Sequence, residues 1–200
     1  MIRENYNLPL RSQLAGIRPA SNSDIFQLIQ ACDARTELHS VRDVVRVIAN
    51  TGMHNTELAA LRFADIDLEG KWIFVGRDRK ATHAQRVLPL RPKTMGALMS
   101  LRAANPQSDL LLGRNPRQMF RNVIRNAKII CPDLPRDRPT MYSVRTNFVS
   151  RLISSGVPLT IMKYCMGFCG QSELLGHLSL APEVKQEIVR RNLENFVPEV

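Results

Sequence analysis

Ile48-Ala-Asn-Thr-Gly-Met-His-Asn-Thr-Glu-Leu-Ala-Ala-Leu-Arg-Phe-Ala-Asp-Ile-Asp-Leu68 is the stretch on which the fold turns. Immediately upstream, Val41, Val44, Val45 and Ile48 recur at helical spacing, and Ser40 with Asp43 makes a cap-like start. Thr51-Gly52 ends that helix, since glycine enters the left-handed conformation without a Cβ penalty. A short helix from Asn55 to Arg62 follows, carrying Leu58 and Leu61. Then the period changes. Trp72-Ile-Phe-Val75 and Arg86-Val-Leu-Pro-Leu90 are compact apolar runs around a polar stretch, Gly76 to Gln85, which predicts two strands and a turn. Pro89 puts the second strand at an edge or at its end, because proline donates nothing to a ladder.

Outward from this centre the chain is helical. Ile25, Leu28, Ile29 and Cys32 share one helical face. Pro92 opens a helix to about Ala104, with Met95, Leu98 and Met99 expected inward. Asn115-Pro116 opens another, whose apolar side is Met119, Phe120, Val123, Ile124 and Ala127. A proline-rich loop, Cys131 to Pro139, leads to a helix with Met141, Val144, Phe148 and Leu152, which Ser155-Gly156 stops. Pro158 starts a short helix, and Pro182 opens the last, with Val184, Ile188 and Leu193. The expected class is mainly α with a small antiparallel β-sheet (α+β). Residues 1–20 read as an N-terminal arm or linker stub and 21–200 as one domain.

The 200 residues carry 28 Lys+Arg against 18 Asp+Glu, a formal net charge of +10. Of the cations 22 are Arg and 6 are Lys, counted along the sequence. The planar arginine fork grips phosphate bidentately, so the excess points to a polyanion, nucleic acid first, while arginine codons of a GC-rich genome give the same count. Arg114, Arg117, Arg121, Arg125 and Lys128 fall within an arc of about 80° on one helix at ~100° per residue. No acid lies among them, and such a row repels itself unless an anion lies alongside. Arg77, Arg79 and Lys80 make a basic turn between the strands. Cys165 and Cys169 are four apart, not at zinc-knuckle spacing, and Cys32 and Cys131 stand alone. They read as buried free thiols, with no metal site and no cofactor expected. No apolar run reaches the ~20 residues of a membrane span, and the N-terminus has no signal-peptide pattern, which points to the cytoplasm and, with a DNA partner, the nucleoid.

Three boxes in order resemble the tyrosine recombinase (phage integrase) family. Ile48 to Leu68 is similar to its first box, T-G-L-R-x-x-E-L-x-x-L. Arg86-Val-Leu-Pro-Leu90 is similar to the end of its hairpin, R-x-V-P-L. Tyr142-Ser-Val-Arg-Thr-Asn-Phe-Val-Ser150 is similar to H-x-L-R-H-T-F-A-S. The resemblance implies the family's helical catalytic domain with a three-stranded sheet, a double-stranded DNA partner, and strand cleavage through a phosphotyrosine in DNA recombination or integration. It implies no counterpart of the family's N-terminal core-binding domain in the residues before the match. It also implies that the last helix, 182–196, docks onto a second copy or a partner recombinase.

Carried over residue by residue, the retained catalytic positions are Arg145, the second arginine, and Lys80, the lysine. The substituted ones are His54 for the first arginine, Tyr142 for the box-two histidine, Phe168 at the third box and His177 at the nucleophile. In a second alignment Leu174-Leu-Gly-His177 is itself the third box, and the nucleophile position falls near Gln186. In both, no tyrosine follows Tyr164. Tyr142 and Tyr164 read as helix tyrosines with solvated hydroxyls. Exchanging an arginine clamp for His54 removes a fork, a loss of the kind that costs ~10²–10³ in rate. The expected function is DNA binding with strand cleavage lost. The alternatives are an active enzyme using His177 as nucleophile, and a protein-interaction module.

Overall fold

The computed structural model describes residues 20–76, 85–113, 118, 121, 140–167, 182–196 and 198–200. Its helices are α1 (Asn22–Asp33), α2 (His39–Thr51), α3 (Asn55–Ala60), α4 (Pro92–Ala104), α5 (Met141–Ser154), α6 (Leu159–Met166) and α7 (Pro182–Phe196). Three strands, β1 (Ile66–Asp67), β2 (Trp72–Val75) and β3 (Arg86–Pro89), form an antiparallel sheet in the order β1-β2-β3. Ile73 pairs with Ile66 on one side and Leu88 on the other. The architecture is the mainly helical one expected, with a small sheet. β1 is only two residues long, too short for any period to announce it; the family resemblance supplied the third strand.

Helix α2 is the centre. Val41, Val44, Val45, Val47, Ile48 and Ala49 are all buried, so it presents apolar surface on most of its circumference. It packs against α1, α4 and α5. Its start differs from the expected Ser40 cap. A 3-10 turn, Thr36–Leu38, runs straight into the helix at His39, and no side chain caps it. The preceding turn holds the entering backbone, so Ser40 has no orphan donor to serve. Asp43 is fully buried and accepts two hydrogen bonds from Arg42, at 2.7 and 3.1 Å. Arg42 also reaches Asp33 at 2.9 Å, tying α2 to the end of α1. Helix α1 has the stronger start: Ser21 accepts from Asp24 N–H at 3.0 Å and Asp24 accepts from Ser21 N–H at 2.8 Å.

The inward face of α4 is Thr94, Ala97, Leu98 and Leu101. Met99, expected inward, is 43% exposed, because it lies about 100° round the helix from Leu98, off that stripe. Strand β3 is an edge, as Pro89 indicated, and α6 and α7 cover it. Its Val87 N–H donates to the Tyr164 hydroxyl at 3.0 Å, so this tyrosine is engaged and half-buried rather than solvated. Burial raises its pKa above 10.0. Helix α7 packs in cis, with Val189 and Leu193 buried and the Arg190 guanidinium 5.9 Å from the Trp72 ring centroid.

Candidate nucleic-acid interface

The turn from α2 into α3 is built for close approach. Gly52 takes φ 66, its N–H closing onto Ile48 O. A Cβ there would lie 2.4 Å from Phe148 Cδ1 and 2.8 Å from Met166 Sδ. Only glycine lets this turn press against both α5 and the end of α6.

Two residues later, His54 is the N-cap of α3. Its Nδ1 accepts from Thr56 N–H at 3.3 Å and lies 2.7 Å from the Thr56 hydroxyl. An imidazole in this capping position takes the place of an arginine fork. The His54 N–H donates to Glu57 Oε2 at 2.7 Å, completing a capping box.

Glu57 does more than cap its helix. Its side chain and that of Arg86 are each 1% exposed. Arg86 Nη1 meets Oε1 at 2.7 Å and Nη2 meets Oε2 at 3.0 Å, a fork-on-fork pair. Arg86 Nε donates to Cys165 O at 2.7 Å. Arg145, 5% exposed, donates through Nη2 to Met166 O at 2.8 Å. Two arginines therefore hold successive carbonyls in the last turn of α6, the negative end of its dipole, just before it closes on Gly167 at φ 67. Burial pulls the Arg145 pKa down to about 10, with Glu57 opposing and Arg86 reinforcing that fall. It stays a cation at neutral pH. Cys165, fully buried in the same turn, has its thiol pushed up to about 12 by burial, so it stays a thiol.

Among the sequence-predicted site residues, His54 and Arg145 thus adjoin one buried ion pair. Tyr142 is 42% exposed, one turn before Arg145 on α5, and the Arg145 guanidinium feels its phenol. Arg121 is exposed. Lys80, Phe168, His177, Arg77, Arg79, Arg114, Arg117, Arg125 and Lys128 lie outside the described residues. Arg86 was quoted in the hairpin box but given no role. The available signal was a Glu at the third position after a cap and an Arg opening an apolar strand, two charges destined for the core. Among the described residues no cluster of His, Cys, Asp or Glu could hold a metal. No described helix is long and apolar enough to cross a membrane.

Helical packing around a three-stranded sheet, with the first-box turn set against an α5 arginine, defines the catalytic-domain fold of DNA strand-exchange enzymes. The phage integrase family model matches residues 21–174, and the chain belongs to that family. No curated protein sequence matches it. The XerA recombinase structure is similar at a TM-score of 0.64 and 20% identity, covering 86% of this chain and 64% of that one. The Tn1549 transposon integrase in complex with transposon right end DNA is similar at 0.65 and 16%, covering 97% and 72%. The lambda integrase catalytic core gives 0.58 and 14%, covering 75% and 91%. The chain thus spans a little under two thirds of the XerA recombinase chain.

Proposed function

We propose that this chain binds duplex DNA in site-specific recombination or integration, holding a phosphate backbone that it does not itself cut. The observation that carries it is His54, at the first-arginine position of the family box, committed as a helix cap through Nδ1. His177 or Gln186 at the nucleophile position of the two alignments supports the loss of the covalent route, and the Tyr164 hydroxyl is itself engaged by a strand N–H. DNA contact is supported by the acid-free stripe Arg114, Arg117, Arg121, Arg125 and Lys128, by the turn Arg77, Arg79 and Lys80, and by similarity to integrases solved on DNA. The phosphate site comprises the retained Arg145 and Lys80 with His54 and Tyr142, and Phe168 and His177 stand where the third box and nucleophile were.

A gel shift on random duplex tests the binding. Five phosphate contacts predict that affinity falls about 10²–10³-fold between about 50 and 200 mM salt. Arg121→Ala lowers the salt slope by about 1 and weakens all sequences alike. No shift at low salt overturns DNA binding. A nicked suicide duplex tests the chemistry, and no covalent adduct is expected. An adduct that His177→Ala abolishes restores the active-enzyme reading.

A further inference from the structure

We infer that Arg86 is a positioning residue for the phosphate site, acting through Glu57 on the turn that carries His54 and through Cys165 O on the end of α6. The inference rests on the phosphate-holding function proposed above. Three separate pieces of chain meet at this guanidinium. Glu57 links it to the α2–α3 turn, because the same carboxylate oxygen that accepts from Arg86 Nη2 accepts from His54 N–H. Its own strand, β3, begins at Arg86 and pairs with β2. Its Nε fixes the α6 carbonyl adjacent to the one Arg145 holds.

The geometry is specific to arginine. Three donors on one rigid plane satisfy Oε1, Oε2 and Cys165 O together. A lysine supplies the charge as a single point on a flexible stem and cannot span all three acceptors. A buried pair of this kind is also replaceable, as far as folding goes, by apolar side chains of similar volume. Stability and positioning can therefore be separated by substitution.

The experiment compares wild type, Arg86→Lys and the double variant Glu57→Leu/Arg86→Met. Each is read three ways: the urea midpoint, the amide NMR spectrum without DNA, and affinity for a random duplex at low salt. Arg86→Lys, which leaves buried acceptors unmet, is expected to lower the urea midpoint, and the double variant, which removes both charges together, to lower it less. In both, the His54 and Gly167 amide resonances should move while that of Phe26 on α1 stays, and duplex affinity should fall about tenfold.

Unmoved His54 and Gly167 amides overturn the positioning, whatever the DNA result. Moved amides with undiminished affinity overturn its bearing on the phosphate site. Affinity that merely tracks the urea midpoint across the set assigns the pair a folding role alone and also overturns the proposal. A wild type that binds no duplex at low salt, with the amides moving as expected, overturns the DNA-binding function and with it the phosphate-site role, while the local arrangement set by Arg86 stands.

Discussion

Two buried arginine pairs lie in neighbouring parts of the core, both within reach of the Cys165 thiol, and they are neutralised differently. Arg86 and Arg145 gather at the end of α6 around the fully buried carboxylate of Glu57. Arg91 and Arg151 gather where α2 ends, and their acceptors include backbone carbonyls. Arg151 donates to Ala49 O and, at 2.5 Å, to Pro198 O, and Arg91 reaches Leu193 O and Asn50 O at 3.4 and 3.5 Å. The acid of this second region, Glu199, lies over the N-terminus of α4, accepting from Lys93 and Thr94 N–H at 3.1 and 2.9 Å. Burial pulls Arg151 down to about 10 and lowers Arg91 as well, and Arg151, like Arg145, remains a cation at neutral pH. The difference teaches that charge in this chain has two uses. Among the described arginines these four, like Arg42, join elements to one another, where composition pointed to a polyanion or to codon usage.

Substitution at Glu57 should break the comparison hardest. Glu57→Ala leaves Arg86 buried without its carboxylate and uncaps α3, and should cost about 3–5 kcal/mol by urea denaturation. Gly52→Ala tests the turn between the two regions. It puts a Cβ into Phe148 and forces a left-handed backbone, and should cost about 2–4 kcal/mol in the same assay. In the second region, Glu199→Ala should cost only about 1 kcal/mol, since it removes a cap from α4 and leaves the arginine–carbonyl bonds in place.

The smallest effect sharpens the first region by pH. The folded Cys165 thiol titrates at about 12 against an ordinary 9.0. Its contribution is fully present below about pH 9 and is lost as pH rises toward 12, because the unfolded chain releases that proton first. Tyr164, raised above 10.0, adds in the same direction. Cys165→Ala should flatten the alkaline fall in urea midpoint.

Much of the molecule was legible in the sequence because its signals are local. The α2 valines, Gly52, Pro158 and Gly156 mark their elements through period and backbone preference alone. The misread details each involve a competing neighbour. Ser40 was displaced as a cap by the 3-10 turn before it, Met99 by a stripe centred on Thr94 and Leu98, and the Tyr164 hydroxyl was drawn in by an edge strand. The boxes supplied positions for the candidate site, His54, Tyr142 and Arg145, with Lys80 taken from the turn between the strands. What those side chains do depends on partners far away in sequence: Arg86 and Glu57 are 29 residues apart, and Arg145 and Met166 are 21 apart.

The sequence by itself determined the class, the stops at Gly52 and Gly156 and the three family boxes, because periodicity, glycine and proline act over a few residues. Only the tertiary structure decided where the arginines go. A guanidinium on a long stem takes the acceptor that burial brings to it. Whether that acceptor is a carboxylate, a carbonyl at a helix end or a phosphate outside is settled by packing between elements distant along the chain.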